Sequence, residues 1–220
     1  MTIKPKDTCL VLDLDDTLYK EYDYVASGLE YLEHQILKLY GVDLTNQLQK
    51  FKKNGVDDIF LEITKILNLP PSTKHSFHMM YRYHTPNIRL TAETKDFLKE
   101  ALDKFNQVVI LTDGRSVTQR LKMKSLNLLN ISTFISEEWS SIKPEKKRFI
   151  SIMNEFSFCR KFCYVADNPL KDFIAPNKLG WISICLKGDK RNIHSQKLSS
   201  VQKENYPKYW LDSLVDIYKC

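Results

Sequence analysis

Two kinds of hydrophobic spacing alternate along this chain. One is a short unbroken apolar run, often β-branched, which suits a strand buried on both faces. The other repeats at three and four residues, the mark of a helix with one apolar face. Strand-type runs stand at residues 8–12, 107–111, 133–136, 162–166 and 181–186. Helix-type segments separate the later ones. The first is capped by Thr91, carries Glu93 in its first turn, and turns Phe97, Leu98, Ala101 and Leu102 inward. Residues 116–129 follow with Val117, Leu121 and Leu128 inward, then 144–156 with Pro144 near the first position, then 170–178. Strand alternating with helix predicts an α/β fold built on a Rossmann-like, doubly wound parallel sheet.

Between the first two strands lies a stretch with no strand candidate. Glu21–Tyr40 is helical in spacing through Tyr24, Leu29, Leu32, Ile36 and Leu37, and Gly41 ends it. Residues 44–53 and 56–67 follow, the latter with Ile59, Ile63, Ile66 and Leu67 on one face. Pro70-Pro71 breaks the chain, and residues 73–83 resume with Phe77, Met80 and Tyr81. Residues 20–86 therefore read as an inserted α-helical subdomain, leaving 1–19 and 87–220 as the core. Beyond Lys187 the chain is polar until residues 209–218, a short terminal helix or a packing arm.

Composition narrows the setting. No apolar run approaches the ~20 residues of a membrane span, and the first residues lack the apolar stretch of a signal peptide, so a cytoplasmic protein with no membrane partner is expected. Five cysteines without a regular framework argue against a disulfide scaffold, and no second pair follows Cys159 and Cys163 at zinc-ribbon spacing. The net charge of +6 is spread along the chain. Its densest run, Lys143 with Lys146-Lys147-Arg148, reads as the solvated face of a starting helix, and no nucleic-acid module is evident.

The candidate chemistry lies where strands end. The first apolar run leads into Asp13, Asp15 and Asp16. Asp13 and Asp15, one residue apart, point to the same side of an extended chain. Like charges so close raise one another's pKa unless a cation or proton intervenes. A divalent cation beside a nucleophile is one reading of this stretch, and an Asp-rich turn is the other. The next strands end in Thr112 and in Asp167. In a parallel sheet all these ends share one edge, where Lys143 can also arrive. Two carboxylates, a hydroxyl and a lysine suit a dianionic phosphoryl group, whose transfer depends on positioning and charge stabilisation.

The sequence resembles the haloacid dehalogenase superfamily in four motifs taken in order. They are Asp13-Leu14-Asp15-Asp16-Thr17 after a strand, Val108-Val109-Ile110-Leu111-Thr112-Asp113-Gly114, Ile142-Lys143-Pro144, and Ala166-Asp167-Asn168-Pro169-Leu170-Lys171-Asp172. The likeness spans about residues 8–186, with the helical insertion where the superfamily places its first type of cap. Two departures touch no chemical group: Ala166 replaces the usual Gly, and no Gly precedes Lys143.

The resemblance implies a Mg²⁺-dependent phosphomonoester hydrolase. Asp13 is then the nucleophile that forms an aspartyl-phosphate, and Asp15 the acid and base. Mg²⁺ falls to the Asp13 carboxylate, the Asp15 main-chain carbonyl and Asp167. Thr112 and Lys143 take the phosphoryl oxygens, and Asp172 supports Lys143 or the metal. Read alone, Thr112 is also a helix cap, Lys143 a solvated lysine and Asp172 a surface helix residue; Asp16 reads as structural. Dehalogenating relatives lack a carboxylate two residues after the nucleophile and need no Mg²⁺, so Asp15 and Asp167 favour a phosphatase. A phosphomutase differs only in its acceptor. A non-catalytic module on the same fold should have lost one of these groups, and none is missing.

The partner implied is a small phosphorylated substrate. The phrase from Asp167 through Gly180-Trp181 resembles bacterial relatives in surface-polysaccharide and sugar-nucleotide pathways, which points first to a phosphorylated sugar and next to a nucleoside monophosphate. Tyr19, Tyr22, Tyr24, His78, Arg82 and His84 are candidates for reading it.

Overall fold

Each apolar run of the core becomes a strand, because helices on both faces of a parallel sheet keep every side chain dry. The computed structural model describes residues 3–219, and its contacts divide the chain into two units. One takes the chain as far as Glu21 and again from Arg89 onward; the other is Tyr22–Ile88.

The first unit holds a six-stranded sheet with neighbours in the order β3-β2-β1-β4-β5-β6, every pair parallel. The strands are β1 (Thr8–Leu12), β2 (Gln107–Thr112), β3 (Ser132–Ile135), β4 (Lys161–Ala166), β5 (Ile182–Leu186) and β6 (Tyr209–Leu211). From β1 the chain builds outward through β2 and β3, then crosses back to lay β4 on the other side of β1. That reversal opens a crevice at the strand ends beside β1, the place where doubly wound sheets bind ligands. Register brings the chemistry level: Leu12 pairs with Ile110 and with Val165, and the Asp13 amide donates to the Val165 carbonyl at 2.9 Å.

The helical unit contains most of α1 (Glu21–Tyr40), with α2 (Gln47–Lys53), α3 (Ile59–Ile66) and α4 (Lys74–Tyr83). Leu29, Leu32, Ile36, Leu48, Ile63 and Phe77 are among its core. Asp58 caps α3 by accepting from the Leu61 amide at 3.0 Å, and buried Glu33 accepts from the Leu48 amide at 3.0 Å. Leu37 and Ile66, expected inward, are exposed. Among the described residues no helix is long and apolar enough to cross a membrane.

In the first unit the helices are α5 (Ala92–Lys104), α6 (Ser116–Ser125), α7 (Ser136–Trp139), α8 (Lys147–Glu155) and α9 (Ile174–Lys178). Thr91 caps α5, accepting from the Thr94 amide at 3.1 Å. Three helices are shorter than their spacing predicts. The segment 116–129 stops at Ser125 because Asn127 turns left-handed (φ 58°) and the Leu128 amide closes back on the Met123 carbonyl. Pro144 precedes α8 instead of opening it. Residues 170–173 form a turn, in which the Asn168 side chain accepts from the Leu170 amide at 3.1 Å. Leu102 and Val117, expected inward, are exposed; the buried face of α6 is Thr118, Gln119, Lys122 and Met123. The stretch expected as a terminal helix or arm opens as β6 and ends in a 3-10 helix, Leu214–Lys219.

Candidate active site

Asp13 leaves β1 with both carboxylate oxygens engaged. Its Oδ1 accepts from the Leu14 amide at 2.8 Å, and its Oδ2 accepts from the Lys143 ammonium at 2.7 Å. Lys143 comes from the loop before α8 and is almost fully buried. It also meets Asp172 at 2.9 Å and the Tyr164 hydroxyl at 3.1 Å. Burial works against a charged lysine there, but Asp13 and Asp172 hold its pKa well above the usual value. Asp172 is fully buried, and its Oδ2 accepts from the Asn168 amide at 3.0 Å. For Asp13, burial outweighs the attraction of Lys143 and, with Asp172 nearby, raises its pKa to about 7.

Asp15 sits in a different environment although it is two residues away. Its Oδ1 accepts from the Lys122 ammonium at 2.7 Å and from the Tyr19 hydroxyl, and its Oδ2 accepts from the Gln119 amide at 2.8 Å. Burial pushes this carboxyl upward, yet Lys122, Tyr19 and Gln119 together hold it below the usual carboxylate range. Asp16 is buried and takes a left-handed backbone (φ 54°). Its carboxylate accepts from the Glu21 amide at 3.0 Å and the Ile193 amide at 2.8 Å.

Thr112 ends β2 with its hydroxyl accepting from Gln119 at 2.6 Å. Gln119 can reach it because Gly114 (φ 146°) leaves room: a Cβ there would stand 3.0 Å from the glutamine side chain. Asp113 accepts from the Lys143 amide, from Lys171 at 3.0 Å and from Arg148. Arg148 corrects the reading of its basic run as a solvated helix face. Lys146 and Lys147 are exposed, but Arg148 is wholly buried, donating to the carbonyls of Thr112 at 2.8 Å and Phe134 at 3.2 Å.

Asp167 follows β4. Burial first, then Asp13, Asp172 and Asp16, raise its pKa to about 8, against a hydrogen bond from Asn192 that lowers it. That contact, from Asn192 at 3.2 Å, belongs to the segment after β5. Gln196 donates from the same segment to the Asp167 carbonyl at 2.7 Å and the Leu186 carbonyl at 2.8 Å. Lys20 donates to the side-chain Oδ1 of Asn192 at 2.6 Å. The polar stretch beyond Lys187 is therefore built into the site.

The residues enclose a polar cavity of about 180 Å³. Asp13, Asp15, Thr112, Lys143 and Asp167 all line it, and Asp172 backs Lys143 from below the surface. A hard divalent cation fits this donor set. Asp13, Asp167 and Asp172 bring carboxylate oxygens within 4.8 Å of one another, and Lys143 touches only two of the three. The Asp15 carboxylate is not in that cluster; its expected metal contact is through the main-chain carbonyl.

Gln119, Lys122, Arg148, Asn192 and Gln196 are not expected at the site on their spacing. Polar residues on the inner face of α6, three apart, were the available signal for the first two. Nothing local marks Asn192 or Gln196, which reach Asp167 across a turn and a strand. Of the residues proposed to read a substrate, Tyr19 instead binds Asp15, while Tyr24, His78, Arg82 and His84 lie in the helical unit. There, His84 pairs with the Ser27 hydroxyl at 3.1 Å and Arg82 donates to His78 at 2.7 Å.

A family model described as haloacid dehalogenase-like hydrolase matches residues 10–185. No curated protein matches the chain by sequence. Solved structures share its fold. YfnB of Bacillus subtilis, a candidate HAD-hydrolase bound to magnesium, is 17% identical with a TM-score of 0.66, covering 97% of this chain and 98% of its own. A predicted phosphoglycolate phosphatase of Haemophilus somnus is 18% identical with a TM-score of 0.62, and 96% of each chain is covered. A 2-haloacid dehalogenase of Pseudomonas syringae is 13% identical with a TM-score of 0.60, again over 96% of each.

Proposed function

This chain belongs to the haloacid dehalogenase-like hydrolase family, and from that premise we propose that it is a Mg²⁺-dependent phosphomonoester hydrolase of the cytoplasm acting on a small phosphorylated metabolite. The observation that carries the reading is the separation of two carboxylates. Asp13 stands against Lys143 at 2.7 Å, while Asp15 stands against Lys122 at 2.7 Å with Tyr19 and Gln119. A nucleophile alone serves dehalogenation; a second positioned carboxylate serves an alkoxide leaving group, which needs a proton.

In the first step an oxygen of the ionised Asp13 carboxylate bonds to phosphorus as the bond to the ester oxygen breaks, and that oxygen takes a proton from Asp15. Asp15 must enter this step protonated, although Lys122, Tyr19 and Gln119 favour its charged form in the free protein. In the second, Asp15 takes a proton from water as it attacks phosphorus, releasing phosphate and restoring Asp13. Lys143 and Thr112 bind phosphoryl oxygens, and Asp172 keeps Lys143 charged and in place. Asp13, Asp167 and the Asp15 carbonyl would hold Mg²⁺, which would supply positive charge against the negative charge of the phosphoryl group. A phosphorylated sugar is the first class to test, a nucleoside monophosphate the next, and a sugar acceptor in place of water would make the protein a mutase.

The test is phosphate release from a panel of sugar phosphates, nucleotides and organic-acid phosphates with Mg²⁺, beside halide release from 2-haloacids. A preference of ~100-fold in kcat/KM, about 2.8 kcal/mol, identifies the substrate class. Halide release without phosphate release, or phosphate release no greater than that of Asp13→Asn, overturns the reading.

The acidic cluster also makes metal binding pH-dependent. Native Asp13 and Asp167 keep protons up to about pH 7 and 8, whereas unfolded aspartates lose them near pH ~4. The native state thus binds more protons across that window, and without metal its stability falls as pH rises through it. Mg²⁺ binds the ionised carboxylates, so its gain in Tm should be small near pH ~5 and largest near pH ~8. Thermal melts with and without Mg²⁺ check this; a gain that does not grow with pH contradicts it.

A further inference from the structure

The proposed chemistry does not use Asp113, yet two loops of the site and helix α8 meet on its carboxylate. Its two oxygens accept the Lys143 main-chain N–H at 3.2 and 3.3 Å, from the loop before α8. Lys171, in the loop after β4, donates to Oδ2 at 3.0 Å. Arg148 binds Oδ1 and, through its other terminal nitrogen, the carbonyl of Thr112 at the end of β2 and that of Phe134 in β3.

Such a group is hard to explain as filler. Arg148 is on the inner face of α8 beside Phe149 and Ile152, with no exposed surface at all. An apolar side chain would close that space without the loss of hydration that a guanidinium suffers. Among the described residues the fixed cation has one carboxylate partner, Asp113, and its other hydrogen bonds go to the main-chain carbonyls of Thr112 and Phe134. Burial alone would raise the Asp113 pKa, but Lys143, Lys171 and Arg148 hold it below the usual range. Its charge is therefore kept for these donors.

We propose that Asp113 is a positioning residue for the phosphoryl group: it fixes the Lys143 backbone, and so its ammonium against Asp13, while Arg148 locks Asp113 to the strand end that carries Thr112. The two side chains assigned to phosphoryl oxygens, on different loops, are thus set by one carboxylate–guanidinium pair. Neither Asp113 nor Arg148 hydrogen-bonds or ion-pairs with the carboxylates of Asp13, Asp167 or Asp172 among the contacts of the described residues. The inference rests on the phosphomonoesterase reading.

The experiment compares wild type, Asp113→Asn, Arg148→Lys and Lys171→Met in two measurements. One is kcat and KM for p-nitrophenyl phosphate; the other is calorimetric binding of inorganic phosphate and, separately, of Mg²⁺. Asp113→Asn should weaken phosphate binding ~10-fold or more and lower kcat/KM by at least as much, with Mg²⁺ affinity within ~2-fold of wild type. Arg148→Lys keeps a cation but loses the forked reach to two carbonyls, so it should fall between the two. If Asp113→Asn does not fold, Lys171→Met, at the half-exposed arm, should still weaken phosphate ~3-fold with Mg²⁺ unchanged. Phosphate binding equal to wild type, or parallel loss of phosphate and Mg²⁺, overturns the inference while wild-type turnover leaves the reading standing. A wild-type protein that neither hydrolyses the ester nor binds phosphate overturns both.

Discussion

Asp13→Asn should lower kcat by roughly 10⁴-fold or more, as expected when the nucleophile is removed from a concerted site, and should leave the metal-free protein at least as stable as wild type near pH ~8. The two effects have separate causes. Asparagine keeps the shape of the side chain but offers phosphorus no anionic oxygen, so no aspartyl-phosphate forms. Its neutral amide also removes one charge from the cluster of Asp13, Asp167 and Asp172. Burial first, and repulsion from neighbouring carboxylates after it, is why Asp13 and Asp167 hold protons to about pH 7 and 8. Lys143 is not stranded by the change, because Asp172 remains 2.9 Å away. Phosphate release and a metal-free thermal melt together check the claim. A variant that is inactive and also strongly destabilised would mean that Asp13 serves the fold, and one that retains turnover would remove it from the chemistry.

How much of this was legible beforehand differs by element. The five core strands could be read because each is a short apolar run, and the chemical ends because three of these runs stop at Asp13, Thr112 or Asp167, which a parallel sheet gathers on one edge. The sixth strand was hidden: Tyr209–Leu211 is three residues long at the edge of the sheet, too short for a period to show. Helix ends drifted where a single residue decides them, as Asn127 does for α6. The inner face of α6 misled for a functional reason. Val117 was counted inward because it is apolar, but the helix faces the site and buries Gln119 and Lys122 there, polar groups with polar partners. Arg148 was masked by its charged neighbours. The Asn192 and Gln196 contacts depend on tertiary folding of a polar segment and leave no local trace.

Lys122 also governs the second large effect. Asp15→Asn should lower kcat for a sugar-phosphate-like alkyl ester by about 10²–10⁴-fold, the range of a general acid and base, and should lower stability by about 2 kcal/mol through loss of charge-assisted bonds. The stability loss comes from the clamp. Lys122 has only 4% of its side chain exposed and pairs with Asp15 at 2.7 Å and with Glu21 at 4.0 Å, so neutralising Asp15 removes the shorter of these two ion pairs. The catalytic loss should depend on the leaving group. Expulsion of p-nitrophenolate needs little help from an acid, so phosphorylation of Asp13 should persist with that ester while hydrolysis of the phosphoenzyme, which needs the base, stalls. Acid-quenched protein should then show a phosphate on Asp13 by intact mass, whereas an alkyl ester should label it slowly. The two losses can be separated by adding Lys122→Met. The double variant removes the buried cation along with the carboxylate and should regain most of the stability without regaining turnover, giving a coupling energy for the pair in a double-mutant cycle. Recovery of turnover along with stability would show that Asp15→Asn fails through the fold, and equal losses for aryl and alkyl esters would remove Asp15 as the proton donor.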